Sequence, residues 1–586
     1  MKFIWSYMRK HIWAIVLVLF MKSLATVLEL FLPYILEYMI DTVAPTKDVR
    51  MILLWGGIML SVAIITRFIS VGANRGSVRI ARKCIYKVRQ DLFTKSINLS
   101  GDQMDEVGLP SLISRMTSDS YNVQSFMQIT QTIAIRAPFL LFGGIFITLT
   151  MDTGLALVLI ILAPILLVAV VIISRKGIPL YDIVQTKLDN VVRIMRENIT
   201  GIRVVKALSK ENYEKRRFSD ANESMSRSEI KASVVMSLPG PVISLAMNIG
   251  LTLVVLFGAY RVNKGVTQPG VILAFLSYFQ MILMGVLILN RFFLNMSKAN
   301  ASANRISSVM NQPDGLERVE EGAKAPSDDY IIFDNVSFTY NGGMKAESQN
   351  PDSAFAGGSR EKTLNDISFR IPRGGSLGII GATGSGKTTV LNLLMRFYDP
   401  QEGHVFIDGR DVRTYELDKL RRHFGVVFQN DAIFADTIAE NLSFGRDVSH
   451  DEMKNAAWNA MAGEFIEDYD DQYEHEAAIH GANFSGGQKQ RLLISRALAA
   501  HPDILVLDDS SSALDYRTDS LLRKNIRQNH DDATMIIIAQ RVSSIMSLDQ
   551  IIMLDEGRII GIGTHEELLA STPQYRDIYE TQMGEV

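Results

Sequence analysis

Hydrophobic residues are concentrated in the first half of the chain, in runs that are long enough to cross a lipid bilayer. A helical crossing takes roughly 20 residues, and six such runs can be drawn. They cover about His11 to Ile40, a stretch that starts near Met51 and passes Arg67, Ile135 to Thr150, Thr153 to Ser174, Ala232 to Tyr260, and Gly270 to Asn290. The pattern predicts an all-α domain with six transmembrane helices.

Two connections between these runs are long, basic and helical in their periodicity, whereas the other three are short. The long connections extend from Arg75 to about Thr130 and from Arg175 to Lys231. Lys and Arg mark the cytoplasmic side of a membrane protein, so both termini are predicted to lie inside. We expect the helices on either side of these connections to continue past the membrane into the cytoplasm.

Charged residues interrupt three of the apolar runs. Because a charge inside a bilayer is costly and is often functional, these side chains are candidates for lining an aqueous cavity. The alternative is that they lie near the membrane surface and extend their charged ends into water. The residues concerned are Lys22, Glu29, Glu37, Arg67 and Arg136.

Composition narrows the range of functions. With 586 residues the chain is long enough for several domains. The net charge is only −3, so no global basic field points to nucleic acid as a partner. The single cysteine, Cys84, excludes an intramolecular disulfide.

The pattern changes after residue 305. Residues 306–328 are polar and contain Pro and Gly, as is typical of a linker. In residues 329–586 short apolar runs alternate with amphipathic helices, which predicts an α/β domain. A Gly-, Ser- and Asn-rich insertion from Asn341 to Lys362 is expected to form a mobile surface loop.

A phosphate-binding loop lies early in this second domain. Gly381 to Thr388 reads Gly-Ala-Thr-Gly-Ser-Gly-Lys-Thr, which fits the P-loop pattern G-x-x-x-x-G-K-[ST], and it follows a predicted strand. In such a loop backbone N–H groups surround the phosphates, the lysine reaches the β and γ oxygens, and the hydroxyl binds magnesium. The predicted ATP-binding residues here are Gly381, Thr383, Gly384, Ser385, Gly386, Lys387, Thr388 and Thr389.

A second candidate anion site precedes the helix predicted from Arg491 to Ala500. Ser485, Gly486, Gly487 and Gln488 place a hydroxyl and exposed backbone N–H groups at the start of that helix, where the helix dipole favours negative charge. One ATP molecule does not need two such cradles in one domain. We therefore expect this one to close on the γ-phosphate of an ATP that another copy of the domain holds.

The P-loop, the Ser-Gly-Gly-Gln run and Asp508 at the end of a predicted buried strand occur in the order of the ABC transporter ATPase domain, which this region resembles. The whole chain resembles an exporter-type half-transporter. The resemblance implies a multidomain fold class: an all-α six-helix transmembrane domain (1–305) with long cytoplasmic extensions, followed by an α/β P-loop ABC nucleotide-binding domain (329–586).

The resemblance also implies roles for particular residues. Tyr340 would stack on adenine, although it could instead be ordinary strand packing. Gln429 would bind magnesium and the attacking water, and Asp508 would join Thr388 and Gln429 as a magnesium ligand. The run from Glu197 to Ala207 would lead into the second cytoplasmic coupling helix, and Ser111 to Asp119 is the candidate for the first.

Two positions depart from the pattern of a competent site in this family. Asp509 stands where a glutamate polarises water, and Gln540 stands where a histidine is expected. The shorter side chain withdraws the carboxylate by roughly an ångström, and such a misplacement can cost about a hundredfold in rate. An amide cannot carry the proton or the charge of a histidine. The run Ala477 to Gly481 also lacks the Gly-Glu-Arg sequence often found before the signature.

These observations predict a site that holds ATP with Mg²⁺ but hydrolyses it poorly. Its chemistry would involve Asp508, Asp509, Gln429 and Gln540, while Ser485 and Gly487 would act on the site of a partner. The chain is then one subunit of a heterodimeric, ATP-driven exporter of a bacterial cytoplasmic membrane, with the nucleotide domain inside. Expected partners are a second half-transporter, membrane lipids and a small amphipathic substrate such as a drug or lipid, but no nucleic acid. A small-molecule importer and an ATP-gated sensor or channel remain as alternatives.

Overall fold

The structure is a computed structural model that describes residues 1–340, 362–429, 431–510 and 513–584. It divides into two units. The first comprises Met1–Lys95 and Pro110–Gln312, and the second comprises Ser96–Leu109 and Pro313–Val586. The change of unit after Gln312 falls within the predicted linker. Residues 341–361 of the predicted insertion lie outside the described residues.

The first unit is entirely helical. Its helices are Lys2–Met8, Ile12–Tyr38, Val49–Ile97, Leu109–Ser114, Ser120–Ile129, Ile135–Pro138, Gly144–Met151, Thr153–Thr200, Ile202–Ala207, Glu211–Ser237, Pro239–Asn263 and Pro269–Met310. Short 3₁₀ or π turns at Arg9–His11, Met39–Val43, Ala44–Thr46, Arg115–Asp119, Thr130–Ala134 and Phe139–Gly143 join several of them into longer rods. The last helix continues to Met310, beyond the predicted boundary at residue 305.

Five helical segments among the described residues are long and apolar enough to cross a membrane. They are Lys2–Thr46, Val49–Ile97, Leu109–Met151, Glu211–Asn263 and Pro269–Met310. A further helix, Thr153–Thr200, has 48 residues and begins with the apolar segment Thr153–Leu162. Large apolar side chains such as Trp13 and Phe68 are 84% and 75% exposed, as a surface facing lipid requires. The chain is a multi-pass membrane protein.

Aspartate carboxylates satisfy the amino-terminal ends of two of these helices, where backbone N–H groups have no partner within the helix. Asp152 accepts hydrogen bonds from Gly154 N at 2.9 Å and Leu155 N at 3.1 Å, and it pairs with Arg261 at 2.9 Å. Asp41 reaches across to another helix and accepts from the backbone N–H groups of Gly270 and Val271, at 2.6 and 3.1 Å. Each carboxylate thus fixes one helix end by charge-assisted hydrogen bonds.

The helices Thr153–Thr200 and Glu211–Ser237 pack against each other and are joined by the short helix Ile202–Ala207. Arg217 bonds to Glu197 at 2.7 Å, and Asn198 bonds to Glu214 at 2.8 Å, just before the turn. The turn helix itself carries apolar side chains that are exposed in this chain, including Val204 at 61%. This is the region expected to lead into the second coupling helix.

The segment Ser96–Leu109 groups with the nucleotide-binding unit. Its helix, Gly101–Val107, begins with a capping box of Ser100 and Gln103. Gly101 N donates to Phe397 O at 3.1 Å, and Tyr398 Oη donates to Asp105 Oδ2 at 2.8 Å. The helix Gly101–Val107 therefore packs against Phe397 and Tyr398 within the second unit, and it is the better candidate for the first coupling helix.

The prediction that Ser111 to Asp119 forms this coupling helix is wrong. These residues run through Leu109–Ser114 and Arg115–Asp119 into Ser120–Ile129, and they belong to the first unit. The carboxylate of Asp119 is buried there, where it accepts hydrogen bonds from Arg305 and Ser302. These residues are the start of a longer helical rod that buries Asp119 against a neighbouring helix.

The second unit contains two sheets. The strands are β1 (Ile331–Phe338), β2 (Leu364–Ile371), β3 (Ser376–Gly381), β4 (Glu402–Ile407), β5 (Arg410–Asp411), β6 (Phe424–Val427), β7 (Ile504–Asp508), β8 (Thr534–Ile538), β9 (Gln550–Asp555) and β10 (Arg558–Gly563). The antiparallel sheet has the order β2-β1-β4-β5, and the larger sheet has the order β10-β9-β3-β8-β7-β6. In the larger sheet all neighbours are parallel except the β9–β10 pair.

Helices complete this α/β unit. They are Lys387–Leu394, Leu417–Arg422, Ile438–Ser443, His450–Asn459, Gly463–Glu467, Gly486–Leu498, Tyr516–Asn529, His565–Ser571 and Pro573–Met583. β3 and β7 both neighbour β8, and all three strands are parallel. Their carboxyl ends therefore meet at one edge of the sheet, which is where ligands bind in open α/β sheets. The predicted fold class, a helical transmembrane domain followed by an α/β nucleotide domain, is confirmed.

Candidate nucleotide-binding site

The loop between β3 and the helix Lys387–Leu394 follows the predicted P-loop path. Gly384 and Gly386 have φ values of +87° and +100°, a region that side chains strongly disfavour. A Cβ on Gly381 would lie 2.1 Å from Leu554 O, so the loop also needs glycine for close packing. A cavity of about 240 Å³ opens here, lined by Thr363, Thr383, Gly384, Gly386, Lys387, Thr388, Thr389, Gln429, Asp508, Asp509, Ile538, Ala539 and Gln540.

Lys387 bonds to the loop that carries it. Its Nζ donates to Gly381 O at 2.9 Å and to Ala382 O at 2.7 Å. Burial lowers the pKa of Lys387, and the nearby carboxylates of Asp508 and Asp509 act against that change. Ser385 Oγ lies buried beside it and has no hydrogen-bond partner among the described residues. A cation and an unsatisfied hydroxyl in one glycine-rich loop form a site suited to phosphate oxygens.

Thr388 and Asp508 lie side by side in the cavity lining. Thr388 Oγ1 donates to Asp508 Oδ2 at 3.3 Å. Burial raises the pKa of Asp508, and the hydrogen bond from Thr388 opposes that rise. Oxygen donors of this kind are those that Mg²⁺ prefers, and Mg²⁺ usually takes few protein ligands and completes its shell with phosphate and water. The described residues contain no group of three or more His, Cys, Asp or Glu side chains that could hold a metal ion.

The two departures from the competent pattern are in direct contact. Gln540 Nε2 donates to Asp509 Oδ2 at 3.1 Å. Asp509 itself has a left-handed backbone, with φ of +49°, and its N–H donates to Ile538 O at 2.8 Å. Burial raises the pKa of Asp509, while Lys387 and Arg541 act in the opposite direction. The carboxylate thus accepts a hydrogen bond from an amide, which cannot act as an acid or a base.

Sequence reasoning missed Gln582, in the carboxy-terminal helix Pro573–Met583. Its Nε2 donates to Gln540 O at 2.8 Å, and its Oε1 accepts from Val542 N at 2.8 Å. One side chain thereby ties the backbone on both sides of Arg541 to the last helix. No local motif marks Gln582, because the contact joins residues 42 positions apart. It is a positioning residue for the segment that carries Gln540.

Tyr340 does not line the cavity as the described residues form it. Its hydroxyl donates to Thr389 Oγ1 at 3.2 Å and accepts from Asn392 Nδ2 at 3.0 Å. Its ring meets those of Phe338 and Tyr398 edge-on, with centroids 4.8 and 5.1 Å apart. These contacts attach Tyr340 to the helix that follows the P-loop. Stacking on adenine stays a prediction.

Ser485, Gly486, Gly487 and Gln488 do not line the cavity around Lys387. Ser485 caps the helix Gly486–Leu498: its Oγ accepts from Gln488 N at 3.3 Å, and Gln488 Oε1 accepts from Ser485 N at 2.8 Å. Ser485 and Gly486 are exposed. The unit therefore presents this helix start to the outside and away from its own phosphate loop.

Comparison with known proteins identifies the family. The family model described as "ABC transporter transmembrane region" matches residues 15–287, and the model described as "ABC transporter" matches residues 364–512. The ABC transporter ATP-binding protein Rv1273c of Mycobacterium tuberculosis is 33% identical over 584 residues, which cover 98% of this chain and 97% of that protein. The chain belongs to the ABC transporter family.

Other members of the family are similar over the same length. YfiB of Bacillus subtilis is 33% identical over 571 residues, covering 97% of this transporter chain and 96% of that protein. YfiC of Bacillus subtilis is 30% identical over 582 residues, covering 99% and 93%. Both are named as ABC transporter ATP-binding proteins. The match therefore spans the membrane unit and the ATP-binding unit together.

A solved structure shows the same fold. It is described as a bacterial Atm1-family ABC exporter with ATP bound, and it matches this ABC transporter with a TM-score of 0.76 at 22% sequence identity, covering 98% of both chains. The transporter therefore has the fold of an Atm1-family exporter. The prediction that the chain is an ABC transporter with a transmembrane domain and an ATP-binding domain is confirmed. The heterodimer and the impaired site stay predictions.

Proposed function

We propose that this ABC transporter is one subunit of a heterodimeric, ATP-driven exporter of the bacterial cytoplasmic membrane. It would move amphipathic molecules such as drugs or lipids outward, with its nucleotide domain and both termini in the cytoplasm. The observation that carries the proposal is the contrast within one cavity. The cavity has a complete P-loop and the Thr388–Asp508 pair. It also has Asp509 and Gln540, bonded to each other, where the family has a glutamate and a histidine.

Binding of ATP rests on the phosphate side of this cavity. Lys387 would exchange its bonds to Gly381 O and Ala382 O for phosphate oxygens, and Ser385 Oγ would gain a partner. Thr388, Asp508 and Gln429 would hold Mg²⁺, which neutralises charge on the phosphates. Thr383, Gly384, Gly386 and Thr389 would complete the cradle, and Tyr340 would contact adenine.

Slow hydrolysis rests on the opposite side. A general base must accept a proton from water at hydrogen-bonding distance. Asp509 has a shorter side chain than glutamate, and its carboxylate already accepts a hydrogen bond from Gln540. Gln540 can orient water but cannot take up a proton. This site would then bind ATP and retain it through most of the transport cycle.

A partner chain follows from the signature helix. Ser485, Gly486, Gly487 and Gln488 are intact but do not line the cavity around Lys387, so their anion-binding helix start would complete an ATP site on a second subunit. That site would carry the glutamate and histidine that are absent here. ATP binding at both sites would favour the closed dimer, and the membrane cavity would then face outward because the two states differ in affinity for ATP.

The test is ATPase activity of the purified chain in lipid, measured alone and together with the transporter subunit that is encoded beside it. We expect low activity for the chain alone and a large rise on pairing. Brisk activity of the chain alone would show that Asp509 and Gln540 suffice for hydrolysis, and the proposed asymmetry would fail.

A further inference from the structure

A charged cavity of about 240 Å³ lies within the membrane unit, between the helices Ile12–Tyr38 and Val49–Ile97 and the segment that contains Ile135–Pro138. The polar part of its lining consists of Lys22, Thr26, Glu29, Thr66, Arg67, Ser70 and Arg136. Four of the five charges that interrupt the apolar runs thus converge on one cavity, and Glu37 is not among its lining residues.

Lys22 is buried at this cavity and makes no direct ion pair among the described residues. The residue is only 7% exposed. Its Nζ donates to Ser70 Oγ at 2.7 Å and to Asn74 Oδ1 at 3.2 Å, and both acceptors are neutral. A buried ammonium group that is bonded only to neutral acceptors is costly. An anion in the cavity would supply the missing counter-charge.

The single carboxylate of the lining is already engaged. Glu29 Oε1 accepts from Arg136 Nη2 at 2.7 Å. Arg136 Nε is buried and has no acceptor among the described residues, and neither has the buried hydroxyl of Thr66. Arg67 has no ion pair within the part of the chain that the structure describes. Three cations and one carboxylate leave an excess of positive charge beside unsatisfied hydrogen-bond donors.

We propose that this cavity binds the anionic group of an amphiphilic ligand: a phosphate, sulfate or carboxylate head carried on an apolar tail. Oxyanions match the lining because they accept several charge-assisted hydrogen bonds at once, and arginine is the side chain best suited to present such donors. Charges within transmembrane helices commonly mark a ligand pathway. That the ligand is also the transported substrate rests on the proposed function; that it binds does not.

The apolar part of the ligand follows from the same helices. The rest of the cavity lining is apolar and comes from the helices that carry Lys22 and Arg67: Ala25, Leu32 and Ala63. Charged and apolar side chains that line one cavity within membrane-spanning helices suit a molecule with a charged head and a hydrocarbon tail. A free inorganic ion would use only the polar part of this surface.

The test is calorimetric titration of the full chain in a neutral maltoside detergent, without nucleotide. Dihexanoyl phosphatidic acid is compared with dihexanoylglycerol, which has the same tails and no phosphate, and with inorganic phosphate. We expect the phosphatidic acid to bind at least about tenfold more tightly than dihexanoylglycerol, because it adds charge-assisted hydrogen bonds. It should also bind at least about tenfold more tightly than inorganic phosphate, because its tails bury apolar surface. Equal binding of phosphatidic acid and dihexanoylglycerol would overturn the anion site. Inorganic phosphate that binds as tightly as the lipid would overturn the amphiphilic ligand.

Two substitutions with opposite expected effects distinguish a loss of ligand recognition from a general loss of folding. Arg67→Gln should weaken phosphatidic acid binding about tenfold, and Glu29→Gln should strengthen it about threefold by removing the competing carboxylate. Arg50→Gln removes the same charge at the start of the same helix, outside the cavity, and should leave binding unchanged. Effects of the same sign for Arg67→Gln and Glu29→Gln, or an equal loss with Arg50→Gln, would overturn the proposal.

The readout also separates this proposal from the transport function. If phosphatidic acid binds as predicted but ATPase activity of the paired complex does not respond to it, the anion site stands and its role as a substrate site falls. If the paired complex behaves as proposed but no anion preference is measured, the cavity proposal falls and the heterodimer stands.

Discussion

The nucleotide cavity has two walls with different side-chain chemistry: one is the P-loop, and the other carries Asp509 and Gln540. On the P-loop wall, Lys387 supplies a cation and Thr388 supplies a hydroxyl that lies 3.3 Å from Asp508. On the facing wall, Asp509 and Gln540 bond to each other. Under the proposed function, ATP binding and ATP hydrolysis would be carried by separate groups, so one could be lost while the other is retained.

The largest expected effect is on nucleotide affinity. Lys387→Ala removes the cation of the P-loop wall, and we expect ATP binding at this site to weaken more than about a hundredfold because several charge-assisted contacts are lost. Turnover of the paired complex should largely survive, since hydrolysis is assigned to the partner site. Fluorescent-ATP titration and ATPase assays measure the two quantities.

Lys419→Ala is the matched control, because Lys419 forms an exposed surface pair with Glu416. It should change neither binding nor turnover. Complete loss of turnover in Lys387→Ala would mean that the two sites are equivalent, and the contrast between the two walls would lose its functional meaning.

The second prediction concerns substitutions that introduce the family's glutamate and histidine in the wall of Asp509 and Gln540. Asp509→Glu together with Gln540→His should raise hydrolysis at this site, by up to about a hundredfold, because the carboxylate moves roughly an ångström closer to the γ-phosphate and an imidazole becomes available. Single-turnover phosphate release measures the effect. If release is unchanged while ATP still binds, other groups disable this wall.

The third prediction concerns the exposed signature helix. Ser485→Ala should reduce turnover of the paired complex about tenfold, whereas Asp509→Ala should reduce it little, because only Ser485 is assigned to the competent site. Loss of an N-cap alone costs about 1 kcal/mol of stability. Ser449→Ala controls for this, since Ser449 forms an equivalent capping box with Glu452. A greater loss from Asp509→Ala than from Ser485→Ala would reverse the assignment.

A smaller effect is expected from the carboxy-terminal helix. Gln582→Leu breaks both backbone contacts around Arg541. In the Asp509→Glu, Gln540→His background it should lower kcat about threefold and leave ATP affinity unchanged, because it misplaces the histidine and not the P-loop. Gln574→Leu, an exposed change on the same helix, serves as the control. A change in affinity with kcat unaffected would contradict the positioning role.

The smallest effect concerns stability. Burial raises the pKa of Asp508 above its ordinary value, so the ionised carboxylate destabilises the nucleotide-free fold at pH values above that raised pKa. Asp508→Asn should therefore raise the melting temperature at pH 7, by about 2–4 °C if about 1 kcal/mol is relieved. The gain should shrink as the pH falls through the raised pKa and towards the usual range of aspartate.

Asp508→Asn should also abolish the further stabilisation by ATP with Mg²⁺, since a metal ligand is lost. Differential scanning fluorimetry at several pH values, with and without nucleotide, tests both parts. A lower melting temperature in the absence of nucleotide would show that the ionised carboxylate stabilises the fold, in contradiction to this account.

Local sequence patterns predicted the elements whose chemistry is local. The P-loop glycines, the buried strand that ends at Asp508 and the apolar helices each follow from residues that are neighbours in the chain. The charges at Lys22, Glu29, Arg67 and Arg136 were also visible as candidates for a cavity lining. Their convergence on one side of the membrane unit depends on how three separate segments pack, which periodicity does not specify.

Contacts between segments that are distant in the sequence could not be predicted for the same reason. The candidate coupling helix Gly101–Val107 is short and polar, and its contacts with Phe397 and Tyr398 have no counterpart in its own sequence. The placement of this helix at residues 111–119 was wrong: Asp119 is buried in contacts with Ser302 and Arg305, which lie far away in the sequence. Gln582 likewise carries no motif.

The most direct measurement is the fate of ATP held by this chain when the other site cannot turn over. The chain is paired with a partner whose catalytic glutamate has been replaced by glutamine, the complex is loaded with radiolabelled ATP and Mg²⁺, and release of phosphate is followed after a chase with unlabelled ATP. This account predicts that ATP stays intact and bound for a time in which the unmodified complex completes many turnovers. Phosphate release at the rate of the unmodified complex would contradict it.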